Sequence, residues 1–178
     1  MAGQTEVKIV FSGPPGAGKT TAIKTISQIA VVSTEAKASD DLALRKETTT
    51  VGMDYGEIEI DAGLVLRLYG TPGQARFRHM WEILAKGALG FVILADNSRP
   101  QPFSDLAIYL DNFKSYIEQS AAVIGVTQVD VSAEPRIEDY YQFLRGRGEM
   151  YPVLTADPRR KEDVLKLLDT LFTNLELR

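Results

Sequence analysis

Val7-Lys8-Ile9-Val10-Phe11-Ser12-Gly13-Pro14-Pro15-Gly16-Ala17-Gly18-Lys19-Thr20 is a β-branched and aromatic run that breaks at a glycine and enters the pattern G-x-x-x-x-G-K-[ST]. Residues 20–30 then carry Ile23, Ile26 and Ala30 at helical spacing, so the stretch reads strand, loop, helix. That context gives the pattern physical meaning. Glycines let backbone N–H groups curl around a phosphate, and the helix that follows turns its positive end toward it. Lys19 brings a mobile point charge, and the Thr20 hydroxyl suits Mg2+. Gly13, Gly16, Ala17, Gly18, Lys19, Thr20 and Thr21 are the expected phosphate-side residues. The bland alternative is a Gly/Pro turn whose lysine faces water.

The rest of the chain alternates strand and helix. Residues 51–60 and 64–69 are extended runs joined by Asp61-Ala62-Gly63, short enough only for an antiparallel hairpin. Residues 89–95 (LGFVILA), 122–126 (AVIGV) and 152–154 are continuous apolar runs, the pattern of central parallel strands covered on both faces. Val164, Leu167, Leu168, Leu171 and Leu175 share one face of a C-terminal amphipathic helix. These patterns predict an α/β fold with a mostly parallel six-stranded sheet, one antiparallel edge strand and helices on both faces. Between residues 31 and 49 runs a polar connection with at most a short helical piece at 40–46. A connection of that length is usually functional.

Composition narrows the function classes. The 178 residues are 44% hydrophobic and 25% charged, with a net charge of −4, which predicts one folding unit spanning 1–178. No dense Lys/Arg cluster suits nucleic acid or an anionic membrane. The absence of cysteine removes disulfides, thiolate metal sites, thiol catalysis and prenyl or palmitoyl anchors. Ala2 stands where a myristoyl acceptor glycine would be, no signal peptide opens the chain, and no apolar run reaches spanning length. A cytoplasmic protein with no lipid anchor and no membrane span is expected.

Further motifs resemble the Ras-like small GTPases. Gly70-Thr71-Pro72-Gly73-Gln74 follows a strand and is similar to the D-T-A-G-Q segment of that family. The resemblance implies a Ras-like P-loop fold, with the Gly73 N–H on the γ-phosphate and Gln74 orienting the attacking water. Gly70 stands where the family places an aspartate that holds Mg2+ through water. The bacterial gliding-motility (MglA-like) and actinobacterial conservon-type GTPases also carry P-G-Q without that aspartate, and the chain resembles them most. Thr48-Thr49-Thr50-Val51-Gly52-Met53-Asp54-Tyr55 looks like the first switch of Rab-type relatives, which makes Thr50 the threonine that senses the γ-phosphate and Mg2+. The alternative for Thr50 is simple β propensity at a strand entrance.

The base end follows the same order. Thr127-Gln128-Val129-Asp130 is similar to the guanine-reading N-K-x-D at its last residue. A carboxylate at Asp130 accepts from two guanine N–H groups, and adenine would leave it unpaired. Thr127 lacks the amide that ties neighbouring loops together, and Gln128 lacks the long stem that covers the base. Thr155-Ala156-Asp157 is similar to the S-A-K segment, whose backbone N–H contacts the guanine oxygen. The resemblance implies GTP and GDP as ligands, Mg2+ held by Thr20 and Thr50, a state-specific effector, and a Roadblock-type activating protein as in MglA-like GTPases.

For charge neutralisation, Arg45 stands three residues before Thr48, the spacing at which Gα-type relatives keep an arginine, and Arg76 and Arg78 follow Gln74. Expected hydrolytic residues are Gln74, Lys19 and Arg45. Phe77 and Trp81 share a helical face that either packs in the core or meets partners, and His79 reads as a surface or packing residue. Two competing functions stay open. One is a P-loop kinase or ATPase with Asp96 as its metal-side acid, and the other is a nucleotide-binding scaffold that hydrolyses nothing.

Overall fold

The computed structural model describes residues 3–34 and 53–178. Arg45, Thr50 and the short helical piece expected at 40–46 lie outside the described residues. In chain order, β1 (Thr5–Ser12) leads into α1 (Lys19–Ile26), and β2 (Val32–Thr34), β3 (Met53–Asp61) and β4 (Leu64–Gly70) follow. Then come α2 (Arg78–Ala85), β5 (Ala88–Asp96), α3 (Pro102–Glu118), β6 (Ala122–Thr127), α4 (Ile137–Gly146), β7 (Val153–Thr155) and α5 (Lys161–Glu176).

Among the described residues the sheet has seven strands in the order β2-β3-β4-β1-β5-β6-β7. β4, β1, β5, β6 and β7 run parallel, and β3 pairs antiparallel with both its neighbours. This is the mostly parallel α/β architecture of a P-loop NTPase, with one strand more than the sequence patterns predict. The added strand, β2, falls in the polar connection. It joins the edge through backbone pairing, Val32 opposite Tyr55, with Val32 and Ser33 exposed. Side-chain patterning carries no signal for such a strand. β2 also moves the single opposed strand, β3, one place in from the edge.

Alternation along the central strands builds a core on each face. Ile9, Phe11, Val92, Leu94 and Val123 join Ile23 and Ile26 of α1 and Val164, Leu167, Leu168 and Leu171 of α5. Val10, Phe91, Ile93, Ala122 and Ile124 join Trp81 of α2, Leu106, Leu110 and Phe113 of α3, and Tyr140 and Leu144 of α4. Each fully buried apolar side chain contributes about 1.5–3 kcal/mol of transfer free energy. Two covered faces therefore make the sheet a rigid support for the loops at its C-terminal edge, where crossover topology gathers ligand sites. Among the described residues no helix is long and apolar enough to cross a membrane.

Candidate functional site

β1 stops at Ser12, and the chain turns through Gly13, Gly16 and Gly18 at φ 149°, 81° and 104°. At Gly18 no other residue fits: a Cβ would lie 2.5 Å from Pro158 Cγ on a backbone that L side chains already disfavour. Gly18 is also the N-cap of α1, where no side chain caps the helix and no acid occupies the first turn. An anion meets N–H groups and the helix dipole there without competition. Lys19 is 8% exposed, and its Nζ donates to Gly13 O at 2.6 Å and Pro14 O at 2.9 Å. Burial, partly opposed by the Asp54 charge and reinforced by the Arg99 charge, lowers its pKa to about 8. An incoming phosphate would supply the counter-charge that burial withholds.

Beside Thr20 lies a residue that motif reading missed. Asp54, 5% exposed, stands opposite Gly70 in the β3–β4 register. Its Oδ2 accepts from Thr20 Oγ1, and its Oδ1 accepts from Ser33 Oγ at 2.6 Å. A carboxylate and two hydroxyls are hard oxygen donors of the kind Mg2+ takes alongside phosphate oxygens and water, so the residues present fit the ion. A Cβ on Gly70 would lie 3.1 Å from Asp54 Oδ2 and 3.1 Å from Ile23 Cδ1. The carboxylate thus arrives from the neighbouring strand, over a position kept bare for it. Within the sequence the available signal was a lone acid on the paired strand opposite the missing one.

Gly73 lies against the phosphate loop: a Cβ there would sit 2.7 Å from Pro15 N and 2.9 Å from Lys19 Nζ. Three hydrogen bonds hold the strand of backbone leading to it. Thr71 Oγ1 and Ser12 Oγ are 2.8 Å apart, Trp81 Nε1 donates to Pro72 O at 2.6 Å, and Tyr109 Oη donates to Gly73 O at 2.9 Å. Trp81 is 1% exposed, with its ring centroid 4.8 Å from that of Tyr109. Trp81 is therefore a core residue that positions the loop, which decides between the two roles its spacing allowed. Gln74 is half-buried and caps a short 3-10 turn, Ala75–Phe77. Arg76, Arg78 and His79 are exposed.

At the base end, Thr127 is fully buried, and its Oγ1 donates to Ala17 O at 2.8 Å. A hydroxyl thus ties this loop to the phosphate loop, although the amide of the N-K-x-D pattern is gone. Gln128 adopts a left-handed backbone at φ 60°, a costly conformation for a residue with a Cβ, and turns the loop toward Asp130. Asn97 braces the same loop from below, donating to Ser132 O at 2.8 Å and Pro135 O at 2.9 Å and accepting from Tyr140 Oη at 2.8 Å. Thr155 is exposed. The Ala156 N–H donates to Val126 O at 2.9 Å and the Asp157 N–H to Asp163 Oδ2 at 2.9 Å. Both N–H groups of the S-A-K-like segment are thereby engaged within the protein.

Gly16, Gly18, Lys19, Thr20 and Thr21 share one cleft of about 380 Å3 with Gln128, Val129, Asp130, Ala156 and Arg159. Three segments far apart in sequence meet there, phosphate grip at one end and an acid at the other. Asp96 braces its own turn, its Oδ1 accepting from Ser98 N at 2.9 Å and Ser98 Oγ at 2.6 Å, while its Oδ2 lies 4.0 Å from where a Cβ on Gly16 would be.

Comparison with known proteins supports nucleotide binding. Residues 11–176 match the family described as conserved hypothetical ATP binding protein. The chain is also similar to the GTP-binding protein yptV2 of Volvox carteri, 23% identical over 74% of this chain and 57% of that protein. It is 30% identical to the Ras-related protein Rab-5B of Plasmodium falciparum over 70% of this chain and 56% of that one. Against the Ras-related protein Rab-8A of Pongo abelii it is 26% identical over 80% and 62%. The chain spans between 56% and 62% of the length of these curated relatives.

Proposed function

The chain belongs to the family of conserved hypothetical ATP binding proteins, and within it we propose a guanine-nucleotide switch that hydrolyses GTP to GDP. The observation that carries this reading is the single cleft in which the phosphate loop, Gln128 to Asp130 and Ala156 to Arg159 converge. In this reading residues 1–178 form one cytoplasmic GTP-binding domain of the MglA-like and conservon-type branch.

Each residue has a defined task. Gly13 to Thr21 hold the phosphates, with Lys19 as the point charge. Thr20 and Asp54 hold Mg2+, joined by Thr50 in the triphosphate state. Mg2+ when bound neutralises charge on the β- and γ-phosphates. Gly73 lies beside Lys19 and the phosphate loop, which supports its N–H as the donor to the γ-phosphate, and the adjacent Gln74 orients the attacking water. Arg45 supplies positive charge to the transition state. Thr127 and Gln128 shape the base site, Asp130 accepts from the guanine N–H groups, and Thr155 and Ala156 form its far wall. In the GTP-bound state a state-specific effector reads the surface around residues 70–78, and a Roadblock-type partner accelerates the reset.

The competing kinase or ATPase reading requires Asp96 beside Thr20. The carboxylate that meets the Thr20 hydroxyl is Asp54, which supports the switch. Equilibrium competition between GDP and ADP in the presence of Mg2+ tests the proposal. A large GDP preference is expected; equal or tighter ADP binding would remove the guanine switch and leave an adenine-nucleotide protein.

A further inference from the structure

We propose that Arg159 is a second base-reading residue: its guanidinium donates to the carbonyl oxygen O6 of guanine while Asp130 accepts from the ring and amino N–H groups. The inference rests on the guanine reading above and adds the residue that reads the other half of the base edge.

Four observations support it. Arg159 and Asp130 both line the cleft, with Arg159 Nη2 3.6 Å from Asp130 Oδ2, beyond ordinary hydrogen-bond length. A base edge inserted there meets a donor and an acceptor side by side. Second, the backbone leaves O6 without its usual partner, since the Ala156 N–H is spent on Val126 O and the Asp157 N–H on Asp163 Oδ2. A guanine carbonyl held there would otherwise lack a protein donor, so a guanine site needs one from elsewhere. Third, the guanidinium is already aimed. Asp157 Oδ1 accepts from Arg159 Nε at 2.9 Å and from its backbone N at 3.0 Å, and Asp157 Oδ2 accepts from Nη2 at 2.8 Å. A guanidinium has five N–H donors, so this grip leaves others for a ligand. Fourth, the segment is anchored: Pro158 sits over Gly18, and Thr25 Oγ1 donates to Pro158 O at 2.7 Å.

Chemistry then sets the selectivity. Guanine presents an acceptor at O6 beside a donor at N1, complementary to Arg159 beside Asp130. Adenine presents an amino donor at the first place and a bare ring nitrogen at the second, so both protein groups would face their own kind. A base that turns a donor toward Arg159 and an acceptor toward Asp130 leaves both contacts unmade, which is how a hydrogen-bonding site rejects the wrong partner. Arg159 thus opposes adenine as well as attracting guanine.

The test compares GDP, 6-thio-GDP and ADP in competition binding to the wild-type chain and to Arg159→Ala, with Mg2+ present. 6-Thio-GDP keeps both N–H groups for Asp130 and weakens only the acceptor at position 6. The wild type should bind GDP about tenfold tighter than 6-thio-GDP, a step of about 1.4 kcal/mol. Arg159→Ala should lose about tenfold in GDP affinity and bring the two ligands to near equality, and Asp157→Asn should lower the ratio part of the way. Arg159 is well exposed, so the variant should keep its fold, checked by an unchanged melting temperature. An unchanged GDP to 6-thio-GDP ratio in Arg159→Ala would overturn the proposal while a retained GDP over ADP preference left the guanine reading standing. A wild type that takes ADP as well as GDP would overturn both.

Discussion

Asp54 faces Gly70 across the β3–β4 pair, its Oδ2 only 3.1 Å from where a side chain on Gly70 would begin. In the proposed switch the metal-side carboxylate comes from β3, opposite the bare Gly70 of β4. Asp54→Asn should therefore weaken Mg2+-dependent nucleotide retention by about 10- to 100-fold, read as faster GDP release at limiting Mg2+. Gly70→Asp alone should destabilise the fold by roughly 1–3 kcal/mol through crowding against Asp54 and Ile23. The double change Asp54→Ala, Gly70→Asp should recover part of the Mg2+ dependence. Unaltered Mg2+ dependence in Asp54→Asn would remove Asp54 from the metal side.

The segment 71–73 depends on two side chains from different helices. Tyr109→Phe removes only the hydrogen bond to Gly73 O and should cost about 1 kcal/mol in urea unfolding. Trp81→Phe removes the donor to Pro72 O and leaves volume unfilled among Tyr109 and Phe113, so its cost should reach about 2–4 kcal/mol. A Trp81→Phe cost near zero would show that the indole N–H and ring volume contribute nothing beyond a generic aromatic.

Much of this was legible in the sequence where structure follows from local pattern. Phosphate loop, hairpin and central strands announce themselves through glycine spacing and continuous apolar runs. The role of Asp54 depends on register, which no single strand states. Trp81 and Phe77 fit either core or surface at helical spacing, and only packing against α3 decides for Trp81. Thr127 looks like a loss when compared with asparagine, and its hydroxyl becomes a tie only because Ala17 O comes within 2.8 Å. Arg159 resembles any solvated loop arginine until Asp157 aims it and the cleft brings Asp130 beside it.

Gln74 follows a glycine that already touches the phosphate loop. Gln74→Leu should leave GDP affinity within a few-fold of wild type and reduce partner-stimulated GTP hydrolysis by on the order of a hundredfold in single-turnover assays. Full stimulation in that variant would place the water-orienting group elsewhere.

Lys19 makes nucleotide binding pH-dependent in a direction that burial dictates. Burial is the main cause that lowers its pKa from 10.5 to about 8. Phosphate favours the ammonium form and raises the pKa again, so binding takes up a proton once the free protein has lost one. GDP affinity should stay level up to about pH 7.5 and then fall, approaching about tenfold per pH unit above about pH 8. Stability of the nucleotide-free chain should move the opposite way. Its folded pKa lies below the unfolded value, so between about 8 and 10.5 the unfolded state holds more protons and unfolding becomes harder as pH rises. Lys8, lowered by burial as well, adds to that second trend but does not line the cleft. The affinity profile therefore isolates Lys19, and GDP binding that held level to about pH 9.5 would mean that its ammonium is not the group meeting the phosphates.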